Sequence, residues 1–286
     1  MVIKSCSFNT NGLVQKKIIS NISICTWNVG GLVSANSTKL SDPMFLKEIS
    51  SHEIILLTET HVSQDMNIVL PGYKYFPVCR PKSRNNRYFG GLGIFIKSDI
   101  LPGIEILKNT SLDYQWLKLD DKGFFTFTRN IFLCLAYIIP VSSYYIFQSD
   151  YDPLDSIEKD IINQYGEKGH IVLCGDFNAR TGCELDFIEG DNYDPFTVKD
   201  EEYESDILVE KRKSCDDKVD TRGKQLLQMC ISLKLRFLNG RMLGDTNGNF
   251  TCYKPNGTSV VDYIIMSEEL LKNTLNCKIS SFLPLL

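Results

Sequence analysis

Residues 170–174 (HIVLC) form a continuous apolar run that halts at Gly175, Asp176 and Asn178. An unbroken apolar run of this length reads as a strand covered on both faces. That restricts the chain to architectures in which other layers sandwich a sheet. Asp176 and Asn178 stand two positions apart at the strand's end, so their side chains point the same way. A polar Asx turn explains such a pair. So does half of a site that handles a phosphate, and the rest of the chain has to decide.

Runs of the same kind recur along the sequence. Residues 22–27, 53–58, 91–97, 114–118, 123–128, 131–137, 236–239 and 260–266 are predicted as strands from their β-branched and aromatic content and flanking turn residues. Residues 40–51, 153–164 and 221–235 carry apolar side chains at helical spacing. Ser41-Asp42-Pro43 supplies a start signal for the first of these helices, and Ser267 one for a short helix over 268–273. Helix–strand units mixed with a meander point to an α/β or α+β sandwich, with sheets inside and helices outside.

With 286 residues and no linker flanked by composition shifts, one domain over 21–286 fits better than two. Residues 1–20 are expected to be a flexible extension, and 183–219 a polar surface insertion with acidic (200–206) and basic (211–213) runs. The first twenty residues lack the apolar core of a signal peptide. The most apolar stretch, 131–147, is interrupted by Pro140 and two serines, so no membrane partner is expected. Ten scattered cysteines without a Cys-x-x-Cys pair read as reduced thiols of an intracellular protein, nuclear or cytoplasmic, rather than a zinc module. A net charge of −4 leaves any nucleic-acid binding to a local patch.

The polar residues gather at strand ends. Asn28 follows Trp27, Glu59 follows Thr58, Tyr137 closes its strand, and Asp262 lies inside the apolar VVDYII. A carboxylate between apolar neighbours is costly unless partnered. Several acids and amides at strand ends suit a hard cation, which takes oxygen ligands and keeps waters. Such a cation polarises a phosphate while a second carboxylate activates water.

The ordered set WNVGGL (27–32), LLTETH (56–61), GGLGIFI (90–96), AYIIP (136–140), GDFNA (175–179), NFTCY (249–253) and VVDYIIMS (260–267) resembles the endonuclease/exonuclease/phosphatase superfamily. It is most similar to the apurinic-type endonuclease domains of non-LTR retrotransposons and host proteins derived from them. The resemblance runs from Ile22 to the end. It implies a DNase I-like fold, a four-layer α-β-β-α sandwich of two packed sheets. It also implies a metal-dependent phosphodiesterase that nicks DNA by water attack on phosphate, using Mg2+, with Mn2+ as the alternative, and no small-molecule cofactor.

Position by position, the resemblance implies that Glu59 binds the metal with Asn28 beside it. Tyr137 would contact the scissile phosphate, and Asp176 would hold or deprotonate the attacking water. Asn178 would orient that aspartate or the transition-state oxygens, Asp262 would orient a catalytic histidine, and Thr251 would lie near the substrate strand. The loop 79–91 offers Arg80, Arg84 and Arg87, with Lys82, for contacts to the DNA phosphate backbone.

Two departures from the family pattern stand out. Gly30 replaces an acid that often lies near the metal. The chain ends at Ser280–Leu286, where the family has a Ser-Asp-His motif and a closing strand, and neither His52, His61 nor His170 substitutes by position. Losing such an acid–base group costs about 10²–10⁴ in rate, and losing a closing strand exposes a sheet edge. The expectation is therefore an impaired, poorly soluble enzyme. The alternative is a catalytically inactive descendant, serving as a binding module or persisting as a non-functional relic.

Overall fold

The computed structural model describes residues 2–9, 21–34, 37–83, 88–108, 111–121, 125, 127–140, 151–189, 209–255 and 257–281. Fourteen strands are found among them. They are β1 (Val2–Asn9), β2 (Asn21–Asn28), β3 (Ile54–Thr58), β4 (Tyr73–Val78), β5 (Leu92–Lys97), β6 (Ile104–Ile106), β7 (Tyr114–Leu119) and β8 (Asn130–Tyr137). Then follow β9 (Gly169–Asp176), β10 (Leu235–Phe237), β11 (Cys252–Lys254), β12 (Gly257–Ser259), β13 (Asp262–Ser267) and β14 (Thr274–Ser281). The helices are α1 (Pro43–Ile49), α2 (Pro153–Asp160) and α3 (Thr221–Ser232), with shorter 3-10 turns and one π segment, Ile161–Tyr165, that prolongs α2.

Two six-stranded sheets, ordered β14-β1-β2-β3-β5-β4 and β10-β13-β9-β8-β7-β6, pack face to face; β11 and β12 form a separate hairpin. The inner layer takes alternate residues of the long strands. Ile22, Ile24, Leu56 and Ile94 from one sheet meet Leu133, Leu135, Val172 and Ile264 from the other. The intervening positions face outward and are covered as well. Trp27, Leu57 and Phe95 pack under Phe45 and Ile49 of α1. Trp116, Leu173 and Ile265 pack under Leu154 and Ile157 of α2 and Leu226 and Cys230 of α3. Coverage on both faces is why these strands read as unbroken apolar runs. The result is the four-layer α-β-β-α sandwich of the DNase I-like class.

Each helix begins on an aspartate whose carboxylate caps the first turn. Asp42 accepts from Met44 N at 2.8 Å, Asp152 from Leu154 N at 2.9 Å and Asp220 from Gly223 N at 2.6 Å. Pro43 and Pro153 occupy the first helical position, where the missing N–H costs nothing.

Two parallel pairs set the functional end of the molecule. β2 and β3 run parallel with Asn28 opposite Thr58, and β8 and β9 run parallel with Tyr137 opposite Asp176. β13 is antiparallel to β9 and pairs Asp262 with Asp176, so its first residue meets the last residue of β9.

Gly175 permits the close approach of β9 to β8. Its φ is 137°, and a Cβ there would lie 1.9 Å from the Ala136 carbonyl oxygen. Gly175→Ala is expected to destabilise the fold by about 2–3 kcal/mol, because overpacking against fixed backbone cannot relax. Urea unfolding of the variant measures this, and an unchanged midpoint would contradict the assigned register.

The N-terminal stretch expected to be flexible instead supplies β1, which pairs antiparallel with both β2 and β14. Pairing satisfies the N–H and C=O groups that the edge of β2 would otherwise present. The stretch 183–219, expected as a surface insertion, is also anchored where it is described. Asp186, Arg212 and Asp216 are buried at 0, 4 and 2% exposure. The Arg241 guanidinium donates to both carboxylate oxygens of Asp186, at 2.7 and 2.8 Å, and Arg180 pairs with Asp216. The acidic run 200–206 lies outside the described residues, as do half of the expected strand 123–128 and Arg84 and Arg87 of the basic loop. β4, β6, β11, β12 and β14 had no counterpart in the sequence reading.

Candidate active site

Asn28 is the hub of the strand-end cluster. Its Nδ2 donates to Glu59 Oε1 at 2.8 Å and to Asp176 Oδ2 at 2.9 Å. Its Oδ1 accepts from the Gly30 N–H at 3.1 Å, which fixes which end of the amide faces the carboxylates. Asn28 thus bridges the two sheets with its donor end and does not aim its oxygen into the cluster, as a metal ligand would. Gly30, which stands where the family often has an acid, contributes the backbone donor that sets this orientation.

Asp176 is buried, and its Oδ1 accepts from the Asn178 N–H at 2.9 Å. Burial raises its pKa well above the usual carboxylate range, and the neighbouring Asp262 and Glu59 carboxylates push in the same direction. Asn178, at φ 45°, turns its amide back to donate to the Ile138 carbonyl at 2.9 Å, tying the β9 loop to the end of β8. Glu59 and His61 hold φ of 53° and 55°. Non-glycine residues rarely adopt such values, and strain of this kind collects at functional sites. His61 Nε2 lies 3.8 Å from Glu59 Oε2, and its pKa is lowered by burial against the pull of Glu59.

The buried Tyr137 projects between these carboxylates and Arg80. Its pKa is raised by burial first and by the nearby Glu59 and Asp176 carboxylates after it. The Arg80 guanidinium lies 5.2 Å from the Tyr137 ring centroid and forms an ion pair with Asp113. Arg80 is therefore a half-buried brace rather than the free surface cation that the loop composition implied. Asp113, which the sequence reading passed over, also accepts from Tyr137 N through its carbonyl at 2.7 Å.

Asp262 and Thr251 complete the wall. The Thr251 hydroxyl accepts from Val261 N and Asp262 N, both at 3.1 Å, so it braces the strand that presents Asp262. Asn239 donates to the Asp262 carbonyl at 3.3 Å and accepts from Ile264 N at 3.2 Å. Asn28, Glu59, Asp176, Asn178, Thr251 and Asp262 all line one pocket of about 230 Å3, together with Cys252, Tyr253 and Lys254 of the β11 hairpin. Cys252 and Tyr253 belong to the NFTCY segment, and no sequence signal marks these three hairpin residues individually. His52 lies against Ser51 and Ile49, and His170 Nδ1 is 3.0 Å from Glu269, so both imidazoles are engaged elsewhere.

A divalent cation was expected here. Among the described residues, no three His, Cys, Asp or Glu side chains form a ready metal cage. The donor set nevertheless fits a hard ion. Two carboxylates converge on one amide nitrogen, a third stands beside them, and burial first and their repulsion second raise Asp176. Magnesium needs only one or two carboxylates and keeps its waters, for which the pocket has room.

A two-sheet sandwich with a carboxylate–amide cluster at its strand ends defines a class of phosphoester hydrolases. Residues 25–275 match the endonuclease/exonuclease/phosphatase family, and the chain belongs to it. Among curated proteins, 79 residues are 29% identical to a probable RNA-directed DNA polymerase from transposon BS of Drosophila melanogaster. That match covers 28% of this chain and only 8% of the relative. Among solved structures, the fold is similar to the catalytic domain of Xenopus laevis APE2, with TM-score 0.56 and 16% identity over 87% of this chain and 83% of that one. It is also similar to the endonuclease domain of TRAS1, a telomere-specific non-LTR retrotransposon, with TM-score 0.50 and 15% identity over 87% and 85%. The 3′ phosphatase NExo from Neisseria, bound to a product DNA hairpin, aligns with TM-score 0.51 and 15% identity over 87% of each chain. None of the described helices is long and apolar enough to cross a membrane.

Proposed function

We propose that the chain is a Mg2+-dependent endonuclease that nicks DNA by attack of water on a backbone phosphate. The observation that carries this reading is the convergence of Glu59 and Asp176, from two different sheets, on the single Asn28 amide. Glu59 would hold the cation, which when bound neutralises charge on the phosphate oxygens. Asp176 would accept the proton of the attacking water, burial having made its carboxylate more basic than an ordinary one. Asn178 and Asn28 fix that carboxylate, one through its backbone N–H and one through its amide. The Tyr137 hydroxyl, with its proton firmly held, donates toward the phosphate, and the Arg80–Asp113 pair keeps its ring in place. The acidic chain as a whole gives little attraction to DNA, so Lys254 at the rim supplies local positive charge.

The inactive-descendant reading is favoured by one feature, the engagement of His52 and His170 away from Asp262. Nicking of supercoiled plasmid separates the two. Relaxed circles are expected with Mg2+ and not with EDTA, and Glu59→Ala should demand a higher Mg2+ concentration. A folded protein that nicks under none of these conditions would leave the inactive reading standing.

A further inference from the structure

Beside Tyr137 lies a larger cavity of about 670 Å3, reached through the Arg80 guanidinium that covers the Tyr137 ring. The Arg80–Asp113 pair forms the wall between them. Both residues line the cavity, the guanidinium lies over the Tyr137 ring, and the Asp113 carbonyl holds Tyr137 N. Around its mouth stand Phe89, Leu112 and Tyr151, exposed at 44, 41 and 45%. Single exposed apolar side chains need no explanation. Three around one cavity, sharing a wall with the position of the reacting phosphate, do.

The charge balance narrows the occupant. Arg80 is neutralised by Asp113, and the Asp160 carboxylate at the floor accepts from the Tyr114 hydroxyl at 2.9 Å and from Trp116 Nε1 at 3.0 Å. Lys159 and Asp160 of the lining carry opposite formal charges. A second phosphate would find no uncompensated guanidinium here. A neutral flat heterocycle would find ring faces to stack on and, in the bonded Ser111 and Tyr151 hydroxyls 2.8 Å apart, polar groups along its edge. The volume falls within the roughly 300–1,000 Å3 typical of small-molecule sites.

We propose that this cavity receives an unstacked nucleobase of the strand whose phosphate is held at Tyr137. The inference rests on the nuclease reading and adds to it a preference for DNA that carries an unpaired base next to the nick. A base that is already unpaired costs least to draw out of the stack, and each base–aromatic stack strengthens binding by about 5- to 150-fold.

Fluorescence anisotropy in EDTA tests this without cleavage, using a fully paired duplex and the same duplex with one unpaired 2-aminopurine. The wild type is expected to bind the second duplex about tenfold more tightly, with quenching of the 2-aminopurine as it stacks. Phe89→Ala and Tyr151→Ala should remove both effects, and Leu112→Trp, which fills the slot, should do the same without removing a ring. All three side chains are surface-exposed, and a melting curve confirms that each variant folds. Equal affinity for the two duplexes, or a preference that survives in the variants, overturns the proposal. If plasmid nicking persists in that case, only the base slot is wrong; if the wild type neither binds nor nicks, the nuclease reading falls with it.

Discussion

Replacing Asp176 by asparagine is expected to lower nicking by about 10²–10⁴, the usual worth of a positioned acid–base group, while making the cation-free protein more stable at neutral pH. The two effects have one cause. Asp176 is buried beside Asp262 and Glu59, which holds its folded-state pKa well above the ordinary carboxylate value. A carboxyl with a raised folded pKa favours the fold while protonated. Its contribution is fully present below the unfolded value, about 3.9, and is lost as pH rises through the folded value. The wild type should therefore lose stability from about pH 4 upward in EDTA. Asp176→Asn keeps an acceptor for Asn28 or the Asn178 N–H but carries no charge, so it should lack that decline. Mg2+ should reverse the ranking, because binding to the native state stabilises only the protein with its carboxylates intact. Thermal melts at pH 4 and 7, with EDTA or Mg2+, read this directly. A variant less stable than wild type at pH 7 in EDTA would refute the electrostatic account.

Asp186→Ala should be the most damaging substitution outside the site, costing about 3–5 kcal/mol. Asp186 is fully buried, takes two bonds from Arg241 and one from Phe237 N at 2.7 Å, and its carbonyl accepts from Arg236 at 2.7 Å. Alanine leaves the Arg241 guanidinium buried without its anion. Asp186→Ala combined with Arg241→Met should recover much of the loss, since a buried pair replaced as a unit is far less costly than one broken. Denaturant unfolding of the two single variants and the double gives the coupling, and additive effects would show that the pair does not act as one. The damage should reach the site as well. Phe237 ends β10, and Asn239, two residues on, holds the backbone of Asp262.

The cluster itself was largely legible in the sequence. Glu59, Asp176, Asn178 and Asp262 could be picked out because each interrupts or ends an apolar run, and a polar group in that position has to have a partner. Local signals also placed the long strands and the helix starts at Asp42 and Pro153, because those elements are decided by short-range pattern and capping. What escaped was non-local. β1 carries no strong alternation and forms only because β2 and β14 offer it backbone partners. Asp186 and Arg212 looked like members of a solvated charged stretch. Their burial depends on Arg241, Phe237 and Glu184, which no spacing rule connects to them.

The apolar runs and their polar stops were determined by the sequence alone. They specify strands covered on both faces, an order of elements that fits one family, and a set of acids and amides at strand ends. Tertiary structure alone decided which atoms of those residues meet. It turned the Asn28 amide so that its nitrogen serves two carboxylates, paired Arg80 with Asp113, and opened the apolar cavity beside Tyr137. The reason is physical: hydrophobic periodicity is a property of neighbouring residues and survives in one dimension. Hydrogen bonds and ion pairs depend on distances of a few ångström between residues far apart in the chain, and only the packed sheets set those.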